Sequence, residues 1–209
     1  MSLGFREKIN YYSHFRKVMT HRKWVRHYCF KAGHYWQGLT HDLSKYSPVE
    51  FIESAKYYQG TRSPIDACKE KNGYSLAWFH HRGRNKHHME YWTDRYDTGT
   101  SCVPMPYKYA TELICDWLGA GRAYMGSNFS YEKELEYIEK KFLNGIKLHP
   151  FTAQYILTTF EALTEYDDEK YVFNKLKFYY ECAERWWHAH ENEYPYVFFG
   201  SSIDYLSDL

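Results

Sequence analysis

Apolar residues recur along this chain at helical spacing, with almost no alternation of period two. From about Lys8 to Ala32 there is no Pro or Gly, and Phe15, Val18, Met19, Val25, Tyr28 and Cys29 return every few positions, as on one face of a helix. Gly33 and Gly38 bracket its predicted end. Ser47-Pro48-Val49-Glu50 opens the next helix. Ser47 stands at the N-cap, Pro48 at the first helical position and Glu50 three residues after the cap, the pattern of a capping box. That helix carries Phe51, Ile52, Ala55 and Tyr58 and is expected to stop at Gly60. The polar stretch from Thr61 to Gly73 reads as a loop holding a short helix from Pro64. A further helix runs through Ser75 to about His81, followed by a break over Gly83 to Asn85.

The second half continues the pattern. Thr93 to Met105, with Gly99, Pro104 and a Thr/Ser cluster, reads as a loop. Tyr107 to about Tyr124 is a clear helix with one apolar stripe: Ala110, Leu113, Ile114, Trp117, Leu118 and Gly121. Ser130 opens another helix carrying Leu135, Ile138 and Phe142. His149-Pro150 starts one that runs through Leu163, and Asp167 or Asp168 opens the last, to about His190. The tail from Glu193 to Leu209 is aromatic and irregular. The class expected is all-α, with no sheet.

Composition narrows the function classes. At 209 residues the chain is long enough for one domain with a substantial core. A net charge of +1 gives no global field for nucleic acid, and no apolar run approaches the ~20 residues of a membrane helix. The first eight residues lack the apolar segment of a signal peptide. Five scattered cysteines without a C-x-x-C pair fit reduced thiols in a cytoplasm. The 23 tyrosines are expected at core boundaries with their hydroxyls on polar partners. Phe178-Tyr179-Tyr180 and Trp186-Trp187 read as core or homodimer packing.

Chemistry concentrates between Thr40 and Trp92. His41, His80, His81, His87 and His88 fall there, and Asp42 adjoins His41. Imidazole suits Zn, Fe, Ni and Cu, and carboxylate suits Mg and Mn, so a mixed set serves several metals. A His-Asp pair inside a helix would diverge by ~100°, and the plain alternative is a helix end with a capping Asp. Its company argues for more. His21 lies upstream, and Asp116 sits on the helix of Leu113, Ile114, Trp117 and Leu118. A carboxylate buried there needs a cation or donors, unless it faces solvent.

The order His21, His41-Asp42, the downstream histidine pairs and Asp116 resembles the HD superfamily of metal-dependent phosphohydrolases. A closer resemblance is to a family of small bacterial and phage HD-like proteins. These share H-K/R-x-x-V, H-D-L-S-K-x-S-P-x-E-F and H-H-x-x-x-N-x-H-H-x-E-Y-W, found here at His21–Val25, His41–Phe51 and His80–Trp92. The resemblance covers about residues 15 to 125. It implies one domain over 1–209: an HD-like helical bundle at about 8–125, bearing the metal, and additional C-terminal helices at 126–209. It also implies one or two divalent transition metals, Fe, Mn, Zn or Ni.

By the same resemblance, His21, His41, Asp42 and Asp116 form a first metal site. His81 and His88, or their neighbours His80 and His87, add ligands for a second, and Asp42 is the bridging and catalytic carboxylate. In HD relatives the lysine of H-D-x-x-K contacts a phosphate, which implies that role for Lys45, the plain alternative being a solvated surface lysine. Arg82 and Arg84 are expected to hold further phosphate oxygens because they adjoin the histidines. Arg122 is a weaker candidate, and Asn85 positions substrate or caps a helix. His14, seven residues before His21, shares its helix face and reads as a supporting residue. The implied activity is hydrolysis of a small phosphate ester, with nucleotides included among the candidates. The alternatives are a di-iron oxygenase of HD type and a non-catalytic, metal-stabilised interaction protein.

Overall fold

The computed structural model describes residues 10–96 and 99–192. The predicted irregular tail, 193–209, and the first nine residues lie outside them. The protein is all-α with one small hairpin. Its helices are α1 (Tyr11–Lys31), α2 (Tyr35–Thr40), α3 (Pro48–Lys56), α4 (Pro64–Asn72), α5 (Leu76–Arg82), α6 (Tyr107–Met125), α7 (Tyr131–Leu143), α8 (Pro150–Glu165) and α9 (Glu169–His190). Short 3-10 turns at Leu43–Tyr46 and Met89–Trp92 join them.

Helix starts follow the local chemistry. Ser47 accepts from the Glu50 N–H at the head of α3, Ser75 from Trp78 at α5, Ser130 from Lys133 at α7 and Asp168 from Tyr171 at α9. The Glu53 carboxylate of α3 accepts from the Ala77 N–H at 2.9 Å and from the Ser75 hydroxyl, so α3 holds the first turn of α5. α3 itself ends at Lys56 rather than running to Gly60.

α6 is the central post. α1 packs along one side of it, α8 and α9 contact the other, and α7 closes on α8. One core cluster joins Val25 and Tyr28 of α1, Leu113, Ile114 and Leu118 of α6, Phe142 of α7, Phe160 of α8 and Leu176 of α9. α6 is buried nearly all round rather than along one stripe: Glu112 and Asp116 are enclosed with their apolar neighbours. α1 and α6 meet closely at Gly119, where an added Cβ would lie 2.9 Å from the Val25 backbone nitrogen.

Two expectations need correction. The inward face of α1 is His14, Val18, His21, Val25 and Tyr28, while Phe15 and Met19 are exposed. Two histidines occupy the buried stripe, so apolar residues alone misplace the face. The predicted loop after Trp92 contains an antiparallel hairpin, β1 (Thr93–Tyr96) and β2 (Gly99–Cys102), with Thr93 opposite Cys102. Four-residue strands of TDRY and GTSC present no apolar alternation to mark them.

Candidate metal centre

The centre begins at the chain turn after α2. His41 leaves the helix with extended backbone (φ −48°, ψ 127°), and Asp42 is left-handed (φ 54°, ψ 28°). Asp tolerates that conformation better than most residues. Because neither residue is helical, their side chains converge: His41 Nε2 lies 3.2 Å from Asp42 Oδ2. Arg22 fixes the turn, donating from Nε to the His41 carbonyl at 2.8 Å and from a terminal nitrogen to the Leu39 carbonyl at 3.0 Å.

Other elements deliver their donors to the same point. His21 of α1 places Nε2 3.1 Å from Asp116 Oδ1 and 3.4 Å from Asp42 Oδ2. His41 Nε2 is 3.2 Å from Asp116 Oδ1. On the far side of the Asp42 carboxylate, Oδ1 lies 3.2 Å from His81 Nε2 and 3.5 Å from His87 Nε2. Two four-residue groups share Asp42 and could each hold a metal ion: His21, His41, Asp42 and Asp116, and Asp42, His81, His87 and His88. All seven residues are buried, and Asp42 belongs to both groups.

The fit to a cation rests on unsatisfied atoms. Asp42 Oδ1 and the Nε2 atoms of His21, His87 and His88 are buried without a hydrogen bond, and Asp42 Oδ2 has the Lys45 ammonium beside it. Buried polar groups rarely go unpaired, and these converge. Burial alone would push the Asp42 carboxyl up, but His41, Lys45 and His81 outweigh it and hold its pKa well below the usual range. Asp116 is likewise depressed, its burial outweighed by His21 and His41. His41 is raised well above the ordinary value because the Asp42, Asp116 and Glu112 carboxylates outweigh its burial. The charges that favour a proton there also favour a metal cation. His88 is pushed well below the ordinary value by burial and then by the neighbouring histidines, which keeps it neutral, the form a metal requires.

Two further carboxylates orient the imidazoles, and one of them, Glu112, forms a third cluster with His41 and His87 that could also hold an ion. Glu112, one helical turn before Asp116, places Oε1 3.0 Å from His41 Nδ1 and 3.2 Å from His87 Nδ1. Glu50 Oε2 lies 2.7 Å from His81 Nδ1 and accepts from the Ser44 hydroxyl. A proton on each Nδ1, donated to these carboxylates, leaves the Nε2 lone pairs facing the centre. Sequence reading missed both roles. Glu112 carried a signal, its i, i+4 spacing from Asp116. Glu50 was assigned only to a cap, yet its side chain serves His80 and His81.

The predicted site residues separate clearly. His81 points inward, whereas His80 is outside both donor groups, with Nδ1 2.6 Å from Glu50 Oε1. Both His87 and His88 enter the second group. Lys45 Nζ stands 2.5 Å from Asp42 Oδ2, and the Asp42 and Asp116 charges outweigh burial to raise its pKa. Asn85 donates to Ser44 Oγ at 2.9 Å and to the His81 carbonyl at 2.8 Å, so it ties α5 to the His-Asp turn. Arg82 is not brought to the centre. It follows the inward His81 by one position, ~100° around the helix, and its guanidinium lies over Phe79. With Arg84 it lines a separate surface groove. Arg122 donates to the Tyr28 hydroxyl and stacks on Phe129, within the packing of α1 and α6.

A pocket of about 180 Å³ opens over the centre. His21, His81, His88 and Asp116 form part of its wall, with Lys45 and Lys17 beside them. Val18, Ile65, Trp78 and Ala120 supply apolar surface, and His14, Ser54, Ser63 and Tyr124 supply polar groups. Among the described residues no helix is long and apolar enough to cross a membrane.

A model of a family of unknown function (DUF5662) matches residues 10–162, which include every donor of both groups. No curated protein and no solved structure matches the chain.

Proposed function

The chain belongs to DUF5662, and we propose that it is a metal-dependent hydrolase of a phosphate ester. The observation that carries this reading is that one pocket joins a buried His/Asp donor set to two lysines. His21, His41, Asp116 and Asp42 would hold one ion, and Asp42, His81, His87 and His88 a second. Bound there, the metal supplies Lewis acidity and lowers the pKa of water towards neutrality. Everything else is done by the chain. Asp42 faces both groups with separate oxygens and so sets them side by side. Glu112 and Glu50 fix the rings of His41, His87 and His81 so that one nitrogen of each faces the centre. Lys45 brings an ammonium to the pocket wall, where it offsets charge on a phosphoryl group. Burial of the donors strengthens each of these interactions. The resemblance to HD phosphohydrolases supports the same assignment, and the five free cysteines suit a cytoplasmic protein.

Anaerobic purification, metal analysis and a phosphate-ester screen with the metal found will test the proposal. Metal-dependent phosphate release that chelation abolishes is the expected result. Retained iron with a mixed-valent EPR signal, together with no phosphate release from any ester, would overturn hydrolysis in favour of oxygen chemistry.

A further inference from the structure

His14 belongs to neither donor group, yet it lines the pocket over them. It lies on the buried stripe of α1, two turns before His21, and is 5 % exposed. Its ring is set between Phe51, at 5.1 Å, and Tyr58, at 5.5 Å. Its Nδ1 has no hydrogen-bond partner. Burial, followed by the charge of Lys45, pushes its pKa down to about 4. The imidazole is therefore neutral at neutral pH, with one N–H and one lone pair. It can neither attract nor neutralise a phosphate by charge. A hydroxyl, which donates and accepts, is its natural complement.

Two cations share the pocket wall with it. Lys45 is beside Asp42, and Lys17 Nζ donates to the Ala123 carbonyl at 2.8 Å with its ammonium 4.7 Å from the centre of the Tyr124 ring. The pocket volume, about 180 Å³, is below the roughly 300 Å³ at which pockets for drug-sized ligands begin. A phosphate with a short organic group fills such a space.

Building on the hydrolase reading, we infer that the pocket takes the phosphate monoester of a small hydroxylated alcohol, with His14 reading a neutral hydroxyl and Lys45 and Lys17 facing the phosphate. His14 is thus a specificity-determining residue, and the volume favours a short organic group over a nucleotide.

Phosphonate analogues test this without turnover, because the C–P bond resists hydrolysis. Manganese-loaded protein is titrated calorimetrically with 3,4-dihydroxybutylphosphonate, with butylphosphonate and with adenosine 5′-monophosphate. Wild type should bind the dihydroxy compound at least about tenfold tighter than the other two. His14→Leu, of matching metal content, should bind both phosphonates alike, and His14→Asn should restore part of the preference. Equal affinity of wild type for the two phosphonates, a preference that survives His14→Leu, or tightest binding of the nucleotide would each overturn the inference. If His14→Leu does not fold, the three wild-type affinities and His14→Asn decide. Hydrolysis is read separately. The expected affinities with no ester hydrolysed would support this pocket and sink the hydrolase reading. Ester hydrolysis without a hydroxyl preference would do the reverse.

Discussion

Asp42 adopts a left-handed backbone, and that one turn lets two consecutive residues serve a single centre. In a helix His41 and Asp42 would diverge, which is why the bare dipeptide is weak as a sequence signal. The divergence is removed by a conformation that spacing rules do not encode. The types of the candidate donors were legible from the clustered histidines and from Asp116 on an apolar helix. The orienting roles of Glu50 and Glu112 were not, because each depends on a partner far away in the chain: Glu112 is 71 residues from His41. Lys45 was legible as a cation near the pair, and Arg82 was misjudged because proximity in sequence says nothing of which way a short helix turns. Lys45→Ala should leave metal content unchanged, since the lysine is not a donor. It should lower phosphate-ester turnover by at least about tenfold, the factor given by ~1.4 kcal/mol of lost transition-state stabilisation. Steady-state kinetics of metal-loaded wild type and variant check this, and equal rates would return Lys45 to a structural partner of Asp42.

At the scale of elements, the order of the longer helices was readable from periodicity and caps, but the six-residue α2 was not, and faces were not always. On α1 the buried positions 14 and 21 are histidines, and on α3 they include Glu50 and Ser54, while Val49 and Ile52 are exposed. A polar residue turned inward towards a site counts against its own face in any hydrophobic pattern. The faces that misread are the ones turned towards the candidate centre. The α1–α6 contact has its own test. Gly119 lets Val25 approach, and an added Cβ would meet its Cγ2 at 2.4 Å as well as its backbone. Gly119→Ala should force the helices apart, destabilise the fold by about 1–3 kcal/mol, and weaken metal binding through the His21–Asp116 pair that spans the same interface. Denaturant unfolding and metal titration measure both effects. Wild-type values in each would show that the approach is not needed.

Across the whole molecule the donors come from α1, the turn after α2, α5, the segment that follows it, and α6. An unfolded chain cannot present that set, so a bound metal stabilises the fold. At free metal about 100 times the dissociation constant the gain is ~2.7 kcal/mol. Chelation should therefore lower Tm by roughly 5–10 °C in a chain of this size, as a thermal melt will report. An unchanged Tm on complete metal removal would argue against occupancy of the buried groups.

The role of Asp42 in both groups is the feature on which the account turns, and metal analysis of the wild type beside Asp42→Ala tests it most directly. After anaerobic purification or reconstitution, wild type is predicted to carry two transition-metal ions per chain. Asp42→Ala, with its helical circular dichroism intact, is predicted to carry almost none. Wild-type stoichiometry in Asp42→Ala, or a wild-type protein that takes up no metal, would contradict the account.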